Sequence, residues 1–266
     1  MKRLLNYIII LSLPLFVFGC DTILSSGKTI NNNSEEYKYI DTTSKGIVHY
    51  KGVPFNGILT KNYENGQLVD KVTYIDGEEN GTYEEYYENG QLYRKGTFKD
   101  GEKNGSFERY YENGQLEGKV TFKDGKLHGA SEFYHENGQL KEKATFKDGN
   151  RDGAFESYYK NGQLEGKATL KDGKLHGAFE SYHENGQLSF KTTYKDGEKN
   201  GSFEQYYENG QLKSKGTLKD GKEDYETYYE NGQLKEKGTY KNRIQYGPVE
   251  IYNEDGTRRN YSMYND

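Results

Sequence analysis

Apolar and polar residues alternate along most of the chain with a period of two, the pattern of strands that bury one face. Between residues 105 and 122, Phe107, Val120 and Phe122 fall on one side of this alternation, whereas Glu108 and Lys119 fall on the other. The repeated segments show no helical period that would supply a cover for the apolar side. The pattern therefore predicts an all-β chain whose sheet has one apolar and one polar face.

Two turn signals divide this pattern into strands. Asn-Gly-Gln-Leu recurs with its Asn at 65, 89, 113, 137, 161, 185, 209 and 231, and Asp-Gly lies between successive copies. Both dipeptides favour type I′ turns, whose central residues need positive φ. The sequence thus predicts a long antiparallel meander of about 18 short strands, built from 24-residue β-hairpin repeats in a single twisted or curled sheet. The last step is 22 residues, and an even deletion preserves the alternation of faces.

The turn positions also predict which residues face each other across a hairpin. A two-residue loop at 113–114 places Tyr111 opposite Leu116 and Glu108 opposite Lys119. The leucine of each turn is accordingly expected on the apolar face. The same spacing gives a series of Glu–Lys cross-strand pairs, each worth roughly 0.2–1 kcal/mol. These pairs are Glu84–Lys95, Glu108–Lys119, Glu132–Lys143, Glu156–Lys167, Glu180–Lys191, Glu204–Lys215 and Glu226–Lys237.

The composition changes the expected thickness of the fold. Leu, Ile, Val and Phe together make up about 18% of the chain, a share at which a highly charged sequence is normally suspected of disorder. The 27 Tyr and 33 Gly offset this deficit, since a Tyr ring covers a large area and keeps a polar tip. We therefore expect a thin sheet. The net charge of −5 argues against a nucleic-acid partner and against binding to an anionic membrane surface.

The N-terminus has the features of a lipoprotein signal peptide. Lys2 and Arg3 precede an apolar run at residues 4–18, which is followed by Gly19 and by Cys20, the single cysteine. This ending resembles a bacterial lipobox, in which the cysteine becomes the lipidated first residue of the mature chain. We predict lipidation at Cys20, with an ordinary cleaved signal as the alternative.

These features predict three regions and a location. Residues 1–19 are the lipoprotein signal peptide, residues 20–45 are the lipidated cysteine with a polar, flexible tether, and residues 46–266 are the repeat array. Lipid on the cysteine would attach the array to a membrane of the bacterial cell envelope, facing away from the cytoplasm.

The repeat resembles a known family. The segment from Phe122 to His128 and Gly129 is similar to the aromatic-x-x-Gly-x-x-His-Gly core of MORN repeats, and the Asn-Gly-Gln-Leu turn with its Tyr-Tyr strand resembles the bacterial MORN-variant family. YwqK-type antitoxins are assigned to that family. The resemblance covers residues 46–264 and implies a surface for interaction with other proteins, or an antitoxin that neutralises a toxin. A weaker resemblance, to choline- and glucan-binding repeats, implies a cell-wall or glycan-binding module.

One row of residues is a candidate binding stripe on the polar face. A Tyr recurs there in each unit, and Tyr is favoured at interfaces for its rigid area and polar tip. The alternative is that Tyr simply suits a strand beside Glu and Lys stems. The stripe comprises Tyr86, Tyr110, Tyr134, Tyr158, Tyr182, Tyr206 and Tyr228.

Catalytic and metal-binding chemistry is not expected. The Glu–Lys pairs recur as a solvated ladder, and the spacing of the His residues follows from duplication, since segments 113–136 and 161–184 agree at 20 of 24 positions. We expect no catalytic residue, cofactor, metal or small-molecule substrate. The favoured function is a membrane-anchored scaffold that binds a protein, with the antitoxin and the glycan-binding module as alternatives.

Overall fold

The computed structural model describes residues 28–219, 222–241 and 244–259. The predicted signal peptide at 1–19, Cys20 and the first part of the predicted tether lie outside these residues. Within the described ranges, no helix has the length and apolar character needed to cross a membrane.

The described chain consists almost entirely of strands, which confirms the all-β prediction. The N-terminal elements are β1 (Lys28–Asn31), a short 3-10 helix (Tyr37–Tyr39), β2 (Ile40–Thr42), β3 (Val48–Tyr50), β4 (Val53–Pro54), β5 (Gly57–Asn62) and β6 (Leu68–Ile75). The next strands are β7 (Glu78–Tyr86), β8 (Leu92–Lys99), β9 (Glu102–Lys103), β10 (Gly105–Tyr110), β11 (Leu116–Lys123), β12 (Lys126–Tyr134), β13 (Leu140–Lys147), β14 (Asn150–Tyr158) and β15 (Leu164–Lys171). The last are β16 (Lys174–Tyr182), β17 (Leu188–Lys195), β18 (Glu198–Tyr206), β19 (Leu212–Lys219), β20 (Lys222–Tyr228), β21 (Leu234–Lys241), β22 (Ile244–Gln245) and β23 (Glu250–Ile251).

Consecutive hairpins build one long open sheet of 20 strands. From β5 onward each strand pairs antiparallel with the next, apart from the short pieces β9 and β22, and the sheet does not close on itself. The predicted meander is therefore confirmed. The first strand is an exception, because β1 pairs parallel with β5 and makes the sheet mixed.

Residues 28–56 form an N-terminal cap over the first hairpin. A small second sheet of β2, β3 and β4 lies here, and Ile30, Val48 and Phe55 are 1%, 6% and 3% exposed. Leu59 and Tyr74 of the first hairpin pack against this cluster. The prediction of a flexible tether up to residue 45 is therefore wrong for residues 28–45. The composition of this segment is polar on average, but Ile30 packs into the buried cluster and holds the segment in place.

Beyond the cap, the sheet is a single layer with little buried volume. The phenylalanines of its apolar face, such as Phe107 and Phe122, are half-buried, and the buried residues between them are small or β-branched, such as Ala144, Ala168 and Thr192. This agrees with the thin sheet expected from the composition.

The Asp-Gly turns have the predicted type I′ geometry. In the turn of β11 and β12, Asp124 and Gly125 have φ of 48° and 72°, and Lys123 pairs with Lys126 directly beside them. Both central residues therefore adopt the left-handed conformation that this turn requires. The same holds for the turns at Asp76, Asp100, Asp148, Asp172 and Asp196.

The Asn-Gly turns differ from the prediction. Gly114 has φ of 82°, but Asn113 is not among the residues with positive φ, and Tyr111 N donates to Gln115 O at 2.9 Å. This is a three-residue loop with glycine at its last position, a type I turn followed by a bulge. Asn113 Oδ1 accepts a hydrogen bond from Gln115 N at 2.9 Å, which favours this turn over type I′.

The longer loop and a further bulge change the neighbours of the leucines. Leu116 lies opposite Tyr110 rather than opposite Tyr111, and the regular register resumes where Arg109 pairs with Gly118. Since directly opposed residues share a face, the leucine lies with the tyrosine stripe and not with the phenylalanines. The prediction that these leucines line the apolar face is therefore wrong.

A wider bulge follows each full-length Asp-Gly turn and explains the 22-residue step. Phe122 pairs with Leu127 but Val120 pairs with Ser131, so residues 128–130 oppose a single residue, and Gly129 has φ of 92°. Between β19 and β20 the pairing is regular throughout. The shorter unit has lost its two bulge residues, so the faces still alternate as predicted.

Candidate interaction surfaces

A continuous row of alternating Lys and Glu crosses the polar face. All seven predicted Glu–Lys pairs are direct cross-strand neighbours, and the same relation continues between hairpins, for example from Lys119 to Glu132. We call this the charge row. It comprises Lys71, Glu84, Lys95, Glu108, Lys119, Glu132, Lys143, Glu156, Lys167, Glu180, Lys191, Glu204, Lys215, Glu226, Lys237 and Glu250.

The short ion pairs of the charge row mostly connect one hairpin to the next. Glu108 lies 3.0 Å from Lys95 Nζ of the preceding hairpin and 3.7 Å from Lys119 Nζ of its own. Glu204 contacts Lys191 at 2.8 Å in the same way. Because the lysines are about half exposed, each pair contributes little energy. The repetition mainly fixes how the hairpins lie side by side.

The tyrosine stripe donates its hydroxyls to the charge row. Each of its seven residues is half-buried, and each hydroxyl donates to the Glu two residues earlier, as in Tyr86 to Glu84 at 2.9 Å and Tyr158 to Glu156 at 2.7 Å. The same hydrogen bond occurs at Tyr110, Tyr134, Tyr182, Tyr206 and Tyr228.

These contacts shift the ionisation of both partners. The hydrogen bond to Glu156, together with burial, raises the pKa of Tyr158 to about 12. Conversely, the Tyr110 hydroxyl, with Lys95, lowers the pKa of Glu108. The stripe hydroxyls are therefore engaged within the sheet, which supports a structural role for them. Binding through the stripe stays a prediction.

A second tyrosine row connects neighbouring hairpins at the Asn-Gly edge, and nothing in the sequence except the spacing of these residues points to its hydrogen bonds. Tyr111 donates its hydroxyl to Tyr134 O at 2.7 Å, and His135 Nε2 lies 3.0 Å from Tyr158 O in the next step. The histidine thus takes the place of a tyrosine as a donor. The other members are Tyr63, Tyr87, Tyr159, His183, Tyr207 and Tyr229.

The Asp-Gly edge has its own inter-hairpin bonds. Gly125 N donates to Lys103 O at 3.0 Å. In several units the side chain before the bulge glycine also faces the Asp of the next turn. Asn80 Nδ2 lies 3.1 Å from Asp100 Oδ1, and His128 Nδ1 lies 3.5 Å from Asp148 Oδ1. Within the described ranges, no three His, Cys, Asp or Glu side chains gather as a metal site would require.

The apolar face carries an aromatic cleft of about 520 Å³. Tyr83, Phe98, Phe107 and Phe122 follow each other edge to face, with centroid separations of 5.7, 5.5 and 5.1 Å. Lys103 extends over this row, its Nζ 5.2 Å from the centroids of both Phe107 and Phe122. We define the aromatic cleft by these five residues and Phe133.

Two glycines lie beneath the rings of the cleft. The Phe133 ring covers Gly118, where a Cβ would lie 2.5 Å from Cδ1 of that ring, and Phe107 covers Gly96, where the distance would be 2.4 Å. The rings can therefore lie flat on the backbone only because these positions lack a side chain.

A sheet of stacked hairpins, each bonded to the next along both edges, defines a repeat protein. The family described as MORN repeat variant matches residues 55–76, 79–100, 103–124, 127–148, 151–172, 175–196, 199–220 and 224–242. The chain belongs to this family, as the resemblance of its turns implied.

No curated protein matches the chain. A solved structure titled "Crystal Structure of TcdB2-TccC3-TEV" is 14% identical, with a TM-score of 0.21, and the match covers 75% of this chain but 12% of that chain.

Proposed function

We propose that this protein is a scaffold for protein–protein interaction, attached to a membrane of the bacterial envelope through lipid on Cys20. The observation that carries the proposal is the half-exposed aromatic cleft on a sheet face that none of the described residues covers. Monomeric proteins rarely leave such apolar surface without a partner, whereas repeat sheets use extended surfaces for binding.

The two edges and the charged face support this function indirectly. Their side chains are bonded to one another from hairpin to hairpin, as with Tyr111 and Tyr134 O or Lys95 and Glu108. A sheet held together in this way does not depend on covering its apolar face to stay ordered, so that face can accept a partner.

A capture experiment tests the scaffold function. The full chain, solubilised from membranes, is used as bait in envelope extract, with a bait of the same lipoprotein signal and tether fused to an unrelated domain as control. We expect one or a few proteins retained by the array alone. Identical eluates from the two baits would contradict the proposal.

The membrane anchor is tested separately at Cys20. Cys20→Ser should abolish lipid labelling and release the chain from the membrane fraction or stall its processing, because a thiol is required for lipidation. Unchanged palmitate labelling of this variant would disprove the anchor.

An antitoxin or immunity-type function is the second candidate, supported by the family to which the repeats belong. It predicts an adjacent toxin gene and protection of cells when the two genes are co-expressed. A third candidate, a cell-wall or glycan-binding module, predicts that the purified protein co-sediments with cell walls. Absence of protection in either compartment, or of co-sedimentation, would remove the respective candidate.

A further inference from the structure

Two nearly identical repeats differ only on the apolar face. Segments 113–136 and 161–184 differ at four positions, and all four belong to the strand positions that alternate with the charge row. Turn residues, charge row, stripe and edge donors are identical in both. The differences are Val120 against Ala168, Phe122 against Leu170, Ser131 against Phe179, and Phe133 against Ser181.

Two of these differences amount to a displaced ring. One repeat has Ser131 and Phe133, whereas the other has Phe179 and Ser181, so the aromatic side chain moves by two residues along the same face. The backbone opposite matches the change, since Phe133 lies over Gly118 and Phe179 lies opposite Ala168. Each of these two strands thus keeps one aromatic ring, but the ring occupies a different place on the apolar face.

One line of cross-strand neighbours on this face varies from strand to strand, and we call it the variable row. Across the cleft it runs through Asp70, Glu85, Arg94, Arg109, Gly118 and Phe133. It is parallel to the charge row, which alternates Lys and Glu without exception. Within one sheet the charge row fixes how the hairpins lie side by side, and the variable row differs in charge, size and shape at each step.

The charges of the cleft favour an acidic partner. Arg94 and Arg109 are each bonded to a carboxylate, of Glu85 and Glu117 respectively. Among the described residues, no carboxylate lies within 4.0 Å of Lys103 Nζ, which rests over two aromatic rings. Glu79, which also lines the cleft, interacts with Lys103 only at longer range and leaves its ammonium without a direct ion pair. Because Lys103 is exposed at the cleft, its ammonium is accessible to a carboxylate of a partner.

We propose that the aromatic cleft binds an extended segment of a partner protein that places an apolar side chain on the phenylalanine floor and a carboxylate beside Lys103, with the variable row selecting the segment. This proposal rests on the proposed scaffold function, and it names the face of the sheet that binds and the chemistry of the partner segment. The tyrosine stripe on the opposite face then serves the sheet and not the partner.

Cross-linking in cells distinguishes the two faces. A photoreactive phenylalanine analogue is placed at Arg109, exposed on the apolar face, or at Ser106, exposed on the polar face of the same strand. We expect partner adducts from position 109 and few from position 106. Adducts from position 106 alone would overturn the choice of face and leave the scaffold function intact. Adducts from neither position would contradict the scaffold function itself.

A peptide selection tests the chemistry. Phage-displayed random dodecapeptides are selected on the full chain and on Lys103→Glu, with Lys123→Glu, an exposed turn residue, as the charge-matched control. We expect peptides that combine apolar residues with Asp or Glu, and about tenfold weaker binding of these peptides to Lys103→Glu, with no loss for Lys123→Glu. Peptides without acidic residues, equal binding to the wild type and Lys103→Glu, or no enrichment would overturn the proposed occupant.

Discussion

Phe55 of the N-terminal cap is 3% exposed, whereas Phe122 in the middle of the array is only half-buried. The cap covers the apolar face of the first hairpin with a small second sheet, and Ile30 and Val48 complete a compact cluster. The array has no such layer among the described residues. Two regions of one sheet thus differ in whether their apolar face is covered.

The comparison shows that a sheet can remain ordered through bonds within its own layer. In the array, inter-hairpin hydrogen bonds recur at both edges and a charge row crosses the middle. Each added hairpin brings the same set of bonds, so duplication extends the sheet without enlarging a core. The cap is needed at β5, the first strand of the first hairpin, because that strand would otherwise expose its edge and its apolar face.

The largest expected effect comes from truncation in the cap. Phe55→Ala should lower the free energy of unfolding by about 3–5 kcal/mol, because it removes a buried ring from a packed cluster. Phe122→Ala, the matched change in the array, should cost about 1 kcal/mol, since that ring is already partly solvated. Urea denaturation of both variants measures the difference. Equal losses would show that the cap and the array do not differ as described.

The next largest effect on stability is expected at the glycines beneath the rings of the aromatic cleft. Gly118→Ala should destabilise the protein by about 1–3 kcal/mol, because the new Cβ would lie 2.5 Å from the Phe133 ring. Gly166 is the control at the same place in another repeat, where the nearest atoms would be 3.3 Å away. Gly166→Ala should therefore cost clearly less than Gly118→Ala in the same denaturation experiment. A similar cost for both substitutions would argue against the ring-on-glycine packing.

Removing one of the hydrogen-bond donors at the Asn-Gly edge should lower the stability by a smaller amount. His135→Phe removes the hydrogen bond to Tyr158 O and should cost about 1 kcal/mol. His135→Tyr restores a donor of the kind found at Tyr111 and should leave stability near that of the wild type. Thermal unfolding of the two variants provides the measurement. If the tyrosine variant were as unstable as the phenylalanine variant, the edge bond would not be the reason for a donor at this position.

The smallest effect is a pH dependence of the array. Hydrogen bonds from Lys and Tyr lower the pKa of Glu180 and Glu204 below the unfolded value of about 4.3. The contribution of these two carboxylates to the free energy of unfolding is therefore fully present above pH about 4.3. It is lost as the pH falls through their lowered pKa in the folded state.

Thermal melts between neutral pH and pH 3 test this dependence. The double variant Glu180→Gln and Glu204→Gln should lose less stability on acidification than the wild type. Glu112→Gln, at an exposed turn, is the control and should retain the slope of the wild type. Identical slopes in all three proteins would contradict the role assigned to the charge row.

The sequence was sufficient for the strands, the order of the hairpins and the pairs of the charge row. These follow from alternation and turn spacing, which are local, and a slip of one residue would have placed each Lys of the charge row on the face opposite its Glu. The Asp-Gly turns were predicted correctly for the same reason, because Asp124 and Gly125 both tolerate positive φ.

The tertiary structure decided where the bulges lie, which face the leucines occupy and what covers the first hairpin. A bulge such as the one beside Leu116 depends on competing backbone hydrogen bonds, which side-chain alternation does not encode. The donors from Tyr111 and His135 act across 23 residues, so their partners exist only once hairpins stack. The same holds for the aromatic cleft, whose rings come from several strands and cover the backbone of Gly96 and Gly118.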